Sequence, residues 1–240
     1  MTDVRALVHR FDQDTGTHAS MLNKLRAAVL GANDGVISTA GLVMGVAGAT
    51  TNSAALATAG IAGLVAGALS MAVGEYVSVS AQRDSERALL VKEEHELRTM
   101  PEEELEELTR LLQEKGMSDA VAREAARELT AHDALAAHAD IELRLDPDDL
   151  TSPTHAAVSS LIAFALGALI PLLAMLLSPP STRVVVTVVA VLLALFLTGF
   201  LSARAGDAPV ARAIVRNVIG GVLAMGITFA IGTLVGTQIG

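Results

Sequence analysis

From Gly35 to Gly74 the chain runs for 40 residues without a charged side chain. A helix needs about 20 apolar residues to cross a bilayer, so this stretch has room for two crossings. Thr50, Thr51, Asn52 and Ser53 form a polar cluster of turn residues at its middle. The pattern predicts two spans, over 28–49 and 54–80. Three further uncharged stretches follow, Ala156 to Thr182, Val184 to Ala203 and Asn217 to Gly240. Pro179 and Pro180 mark the loop that closes the first of these. The expected fold is an all-α membrane protein with five transmembrane helices. Its hydrophobic fraction of 52% is close to that of soluble proteins, whereas the mean hydropathy of +0.51 is high. The apolar residues are therefore concentrated in long runs.

Several function classes are excluded by what the chain lacks. With no Cys among its 240 residues, it has no disulfide framework, thiolate zinc site, iron–sulfur cluster or Cys nucleophile. A net charge of −9 and 2% aromatic residues are the opposite of a basic, stacking-rich nucleic-acid surface. Residues 1–20 are polar, so no leader is expected. That segment is expected to be flexible or a short surface helix.

The Lys and Arg residues set the expected orientation. Segment 1–33 has four of them, Arg5, Arg10, Lys24 and Arg26. The 50–53 turn has none, 83–150 has nine, 178–183 has only Arg183, and 204–216 has three. With the N-terminus inside and the C-terminus outside, 16 of the 17 positive charges fall on the cytoplasmic side. The chain divides into a cytoplasmic segment 1–27, spans one and two in 28–82, an insert at 83–150, and spans three to five in 151–240.

The insert holds 20 of the 26 acidic residues against nine basic ones, a local net charge of −11. It reads as a cytoplasmic three-helix acidic domain between spans two and three. Residues 83–98 continue span two. Thr99, Pro101 and Glu102 are a helix restart, with a capping threonine, an early proline and acids in the first turn. Leu105, Leu108, Leu111 and Leu112 form an apolar stripe, and Gly116 stops the helix. Ser118 is placed to cap a third helix running to Leu145, which Pro147 ends.

Glu93 with Glu96, and Glu104 with Glu107, are carboxylate pairs at a spacing of three. Each pair shares a helix face, where like charges repel unless a cation or proton lies between them. Oxygen ligands suit hard ions such as Mn²⁺, Mg²⁺ and Ca²⁺. His138 and Glu142, four apart, share a face on the third helix. An added imidazole shifts the preference toward Fe²⁺, Mn²⁺, Co²⁺, Ni²⁺ or Zn²⁺. An isolated Glu pair in an acidic helix is more often a solvated face, and His95, His132 and His138 taken singly are more often surface or packing residues. The coincidence of three pairs in one insert makes metal binding the expectation.

Asp34 opens span one, and Glu75 lies in span two, four residues after Met71. A carboxylate at the centre of a membrane helix costs about 2.5–3.5 kcal/mol on insertion scales, so such residues are usually functional. The plainer alternative is that both snorkel to the cytoplasmic interface. Met71 is a gap filler or a soft ligand. Gly41 and Gly45, Gly63 and Gly67, and Gly232 and Gly236 are each four apart, a spacing that favours close helix packing or dimerisation.

Two of these segments resemble a known family. Asn33-Asp-Gly-Val-Ile-Ser-Thr-Ala-Gly-Leu42 and Gly67-Ala-Leu-Ser-Met-Ala-Val-Gly-Glu-Tyr-Val-Ser78 are similar to spans one and two of the vacuolar iron transporter family, in its bacterial branch. Ile170-Pro171-Leu172 in span three adds to the likeness, which covers the chain from about Ala27. The resemblance implies a homodimer of five-span protomers, with a metal-binding helical domain extending from span two. It implies export of Fe²⁺, and often Mn²⁺ or other divalent ions, from the cytosol in exchange for protons. By the same resemblance Asp34 and Met71 lie on the transport pathway, and Glu93, Glu96, Glu104, Glu107 and Glu142 are metal ligands. Pro101 is also in register.

This chain departs from plant members at two places. His138 stands where they have a methionine, a nitrogen in place of a soft sulfur, which favours Mn²⁺ or Zn²⁺. Gly63 stands where they have a glutamate, while Glu75 lies on the other side of Met71. Some bacterial relatives carry an N-terminal ferritin-like domain; with about 27 residues before span one, none is expected here.

The expected function is thus a divalent-metal exporter of the bacterial cytoplasmic membrane. Its expected partners are lipid, metal ions, protons and a second copy of the chain, with no nucleic acid and no prosthetic group. The site residues are Asp34, Met71 and Glu75 in the membrane, and Glu93, Glu96, Glu104, Glu107, His138 and Glu142 in the insert. The alternative is a membrane-anchored metal buffer or sensor that passes no ions. An enzyme is not expected. The chain has no Ser/His/Asp arrangement and no phosphate-binding loop, and it lacks the Glu-x-x-His motif of four-helix di-iron sites.

Overall fold

The computed structural model describes residues 28–147, 150–206 and 208–239. Segment 1–27, with Arg5, Arg10, Lys24 and Arg26 and the expected flexible start or surface helix, lies outside the described residues. Seven α-helices and one π-turn are present among the described residues, with no strand. They are α1 (Ala28–Ala49), α2 (Ser53–Thr99), α3 (Pro101–Glu114), α4 (Asp119–His138), a π-turn (Ala139–Leu143), α5 (Pro153–Leu177), α6 (Arg183–Ala205) and α7 (Val210–Ile239). Helices α1, α2, α5, α6 and α7 are long and apolar enough to cross a membrane. They fall on the four uncharged runs, the first of which holds both α1 and the start of α2, and α2 continues well past its run to Thr99. The described residues form two compact units, one from 28–75 with those of 157–239 and the other from those of 76–156.

In the first unit, Val36, Ala40, Val43 and Met44 of α1 are buried in one core with Leu56, Leu172, Met175, Val191, Leu195 and Met225. α1 thus meets all four other long helices. Glycine makes two of these crossings possible. A Cβ at Gly35 would strike the Phe164 carbonyl of α5, and one at Gly232 would strike the Gly45 carbonyl of α1. The Gly232 and Gly236 stripe is therefore spent within the chain, against Gly45 and Ala49. At the α1–α2 turn, the Asn52 side chain accepts from the amides of Ala54 and Ala55, at 2.8 and 3.2 Å, and so caps α2.

In the second unit, Leu108 and Leu112 of α3 pack against Ala122 and Ala126 of α4 and against Ala137. Gly116 takes φ +99°. With it, Gly116 N donates to Gln113 O and Met117 N to Leu112 O, at 2.8 and 3.3 Å, closing α3 in a Schellman turn.

Three local expectations are corrected. Met100, not Thr99, holds the N-cap position of α3. The Thr99 hydroxyl instead donates to the His95 carbonyl at 2.9 Å, inside α2. Ser118 occupies the N-cap of α4, but its side chain makes no capping bond. The third helix is not continuous to Leu145: α4 departs from helical geometry at Asp133, ends at His138 and passes into the π-turn.

Candidate metal centre

Glu93 of α2, Glu104 in the first turn of α3, His138 at the end of α4 and Glu142 in the π-turn converge. One donor atom from each lies within 4.8 Å of the others. His138 Nδ1 stands 2.8 Å from Glu93 Oε1, 3.5 Å from Glu142 Oε2 and 3.7 Å from Glu104 Oε2. Metal–ligand bonds of about 2.0–2.2 Å separate opposite donors on one ion by about 4 Å, which is the scale of this cluster.

The site is dry. His138 is fully buried, and Glu93 and Glu104 are 3% and 6% exposed. Glu93 Oε1, Glu142 Oε2 and both ring nitrogens of His138 are buried and make no hydrogen bond. Buried polar atoms are nearly always paired, because an orphan costs its full desolvation energy. Here His138 Nδ1 faces the unpartnered oxygens of Glu93 and Glu142 at 2.8 and 3.5 Å, an arrangement that one cation can bridge. Burial pushes the Glu93 carboxyl above its ordinary pKa, and the neighbouring Glu142 charge adds to this, against the opposing effect of His138. Burial also raises Glu104, again opposed by His138. A divalent cation would remove both causes of strain by supplying charge and coordination together.

The other two expected glutamate ligands, Glu96 and Glu107, are not in the cluster. Glu96 is paired with Lys92 at 2.7 Å, and Glu107 with Arg110 at 2.7 Å. His95 and His132 are exposed.

In the first unit, Asp34 and Met71 line one cavity of about 230 Å³ with Ser38, Thr39, Leu42, Gly63, Gly67, Ser70 and Phe164. Glu75 is not among its lining residues. Gly63, the position where the resemblance implies a glutamate, is on the wall. Sequence reasoning missed Ser38, whose Oγ lies 3.0 Å from Asp34 Oδ1 and 2.5 Å from the Asp34 carbonyl. Its signal was the spacing of four from Asp34. Beside it, the Thr198 hydroxyl of α6 donates to Asn33 Oδ1 at 3.2 Å, tying α6 to the start of α1.

The profile of the VIT family matches residues 25–233. The chain belongs to the VIT family. It is 42% identical over 211 residues to the vacuolar iron transporter of Acanthamoeba castellanii, covering 88% of this chain and 78% of the relative. It is 38% identical over 229 residues to vacuolar iron transporter homolog 4 of Arabidopsis thaliana, covering 95% and 92%. It is 38% identical over 213 residues to vacuolar iron transporter homolog 1 of Oryza sativa subsp. japonica, covering 88% and 74%. These VIT family relatives are transporters by name, not enzymes. With five membrane-length helices, the chain is a multi-pass membrane protein of the same family.

Proposed function

We propose that the protein carries Fe²⁺, Mn²⁺ or both across the membrane and out of the cytosol, in exchange for protons. The observation that carries this reading is the convergence of Glu93, Glu104, His138 and Glu142, with unpartnered buried atoms on Glu93, His138 and Glu142, in a chain of the VIT family. Three carboxylates and an imidazole suit a borderline divalent ion better than Mg²⁺ or Ca²⁺. Zn²⁺, Co²⁺ and Ni²⁺ fit the same donors and are secondary cargoes. In this reading residues 83–150 form a cytoplasmic metal-binding domain whose −11 net charge concentrates cations near the membrane. Metal held there passes to the cavity of Asp34 and Met71. Protons from the far side then displace it.

The Lys and Arg distribution supports an N-terminus inside and a C-terminus outside, and the likeness of the span motifs supports a bacterial cytoplasmic membrane. Ile61, Val65, Leu69 and Val73 form an exposed apolar stripe on α2, a surface for lipid or for the second copy of a homodimer. Glu96 and Glu107 join as ligands when the metal displaces their Lys92 and Arg110 partners. Glu75 acts on the approach to the cavity rather than within it.

The test is uptake into proteoliposomes carrying a metal-sensitive dye and a pH dye, with Fe²⁺, Mn²⁺ and Zn²⁺ against an imposed proton gradient. Saturable metal entry with coupled proton movement is expected. Binding without entry above protein-free liposomes would replace this reading with a membrane-anchored buffer or sensor.

A further inference from the structure

Asp133 is the one residue of α4 with non-helical backbone angles, φ −159° and ψ 101°. Its side chain is not idle. Asp133 Oδ1 accepts from the amide of Ala136 at 2.9 Å, the bond an N-cap residue makes to the third residue of a new helix. α4 is therefore two helical segments, 119–132 and 134–138, with Asp133 capping the second. That second segment and the π-turn carry both His138 and Glu142. Arg144, in the left-handed region at φ 55° and ψ 40°, then ends the run, and Leu145 N donates back to Ala139 O at 2.8 Å.

The break has a geometric consequence. Before the break, Ala122 and Ala126 are the α4 residues buried against α3, and beyond it Ala137 is buried in the same cluster. At 3.6 residues per turn, an unbroken helix would carry His138 about 120° around the axis from Ala126 and about 160° from Ala122. The imidazole would then turn away from α3, which bears Glu104. In the structure His138 is fully buried, with Nδ1 3.7 Å from Glu104 Oε2. The π-turn between His138 and Glu142 makes a second adjustment of phase, of a kind that recurs at functional sites.

We infer that Asp133 is a positioning residue for the metal centre: its helix break and cap turn His138 and Glu142 onto Glu93 and Glu104. This rests on the reading of those four residues as the cation site. The hydrogen bond of the Asp133 side chain goes to Ala136, so it acts through the segment it caps.

The test is Co²⁺ binding to the full-length protein in detergent, followed by the visible bands that report coordination number and geometry. Asp133→Ala is expected to weaken Co²⁺ by about tenfold, the scale on which supporting groups act at metal sites, and to change the bands. Asp133→Asn keeps the capping oxygen without the charge and restores both. Asp133→Glu keeps the charge but caps poorly, and behaves like the alanine variant. Wild-type binding by Asp133→Ala or Asp133→Glu, or binding by Asp133→Asn as weak as that of Asp133→Ala, overturns the inference. If Asp133→Ala does not fold, the asparagine and glutamate variants still decide it. His138→Ala is the control: if it binds Co²⁺ like wild type, the centre itself is misassigned, whatever Asp133 does.

Discussion

His138 Nδ1 approaches Glu93 Oε1 to 2.8 Å, yet both atoms are buried without a hydrogen bond. The two groups come from α4 and α2, so the approach reflects tertiary packing and not local sequence. A ring nitrogen and a carboxylate oxygen held that close can share one cation between them. Replacing His138 by Ala removes a donor and leaves three crowded carboxylates. Mn²⁺ affinity is expected to fall by more than about tenfold, beyond the loss typical of a supporting residue, while far-ultraviolet circular dichroism stays unchanged. Calorimetric titration of Mn²⁺ into the two proteins checks this. Equal affinities would remove His138 from the ligand set.

The raised pKa values of Glu93 and Glu104 give the metal-free protein a definite pH response. A carboxyl whose folded pKa is raised binds its proton more tightly when folded. Its contribution to stability is complete below the unfolded value of about 4.3 and is lost as pH rises through the folded value. Asp119, held low by Arg123, acts in the opposite direction, so the informative quantity is a difference. Without metal, the Tm of Glu93→Gln minus that of wild type should grow between pH 4 and pH 7. Saturating Mn²⁺ at pH 7 should reverse its sign. A difference that does not vary with pH would contradict the buried placement of Glu93.

The spans were legible because hydrophobic runs free of charge have one common outcome in a chain of this length. The four-residue cluster was legible only in part. Spacing of three placed Glu93 with Glu96 and Glu104 with Glu107, but it could not say which member of each pair turns inward. Lys92 and Arg110 mark the outer members, pairing with the half-buried Glu96 and Glu107 at 2.7 Å. Both partners stand at helical spacing, so the signal was present but weaker than the carboxylate pattern. The break at Asp133 left almost no trace. No Glu or Gln follows it at the third helical position, so the capping-box signature is missing.

Asp34 lines the cavity of the first unit with Met71, and Glu75 does not. Their substitutions should therefore separate. Asp34→Ala is expected to abolish metal flux in proteoliposomes and to leave Co²⁺ binding at the Glu93 cluster intact. Glu75→Ala should slow flux by a smaller factor, with its main effect on the apparent KM for metal. Stopped-flow fluorescence of the entrapped dye measures both. Full flux in both variants would mean the ion takes another route.

The helix crossings make a prediction that does not depend on metal. A Cβ at Gly232 would collide with the Gly45 carbonyl, and backbone cannot swing aside as a side chain can. Gly232→Ala should force α7 away from α1 at a cost of about 1–3 kcal/mol, the usual range for overpacking. Gly74 has nothing within 4 Å of its would-be Cβ. Gly74→Ala should be neutral or stabilising by up to about 1 kcal/mol, because alanine loses less chain entropy in a helix. The two substitutions add the same methyl group, so thermal unfolding midpoints in one detergent isolate the packing. The Gly232 variant should melt lower than wild type and the Gly74 variant at or above it. Equal midpoints for the two variants would mean that α1 and α7 do not cross backbone to backbone at Gly45.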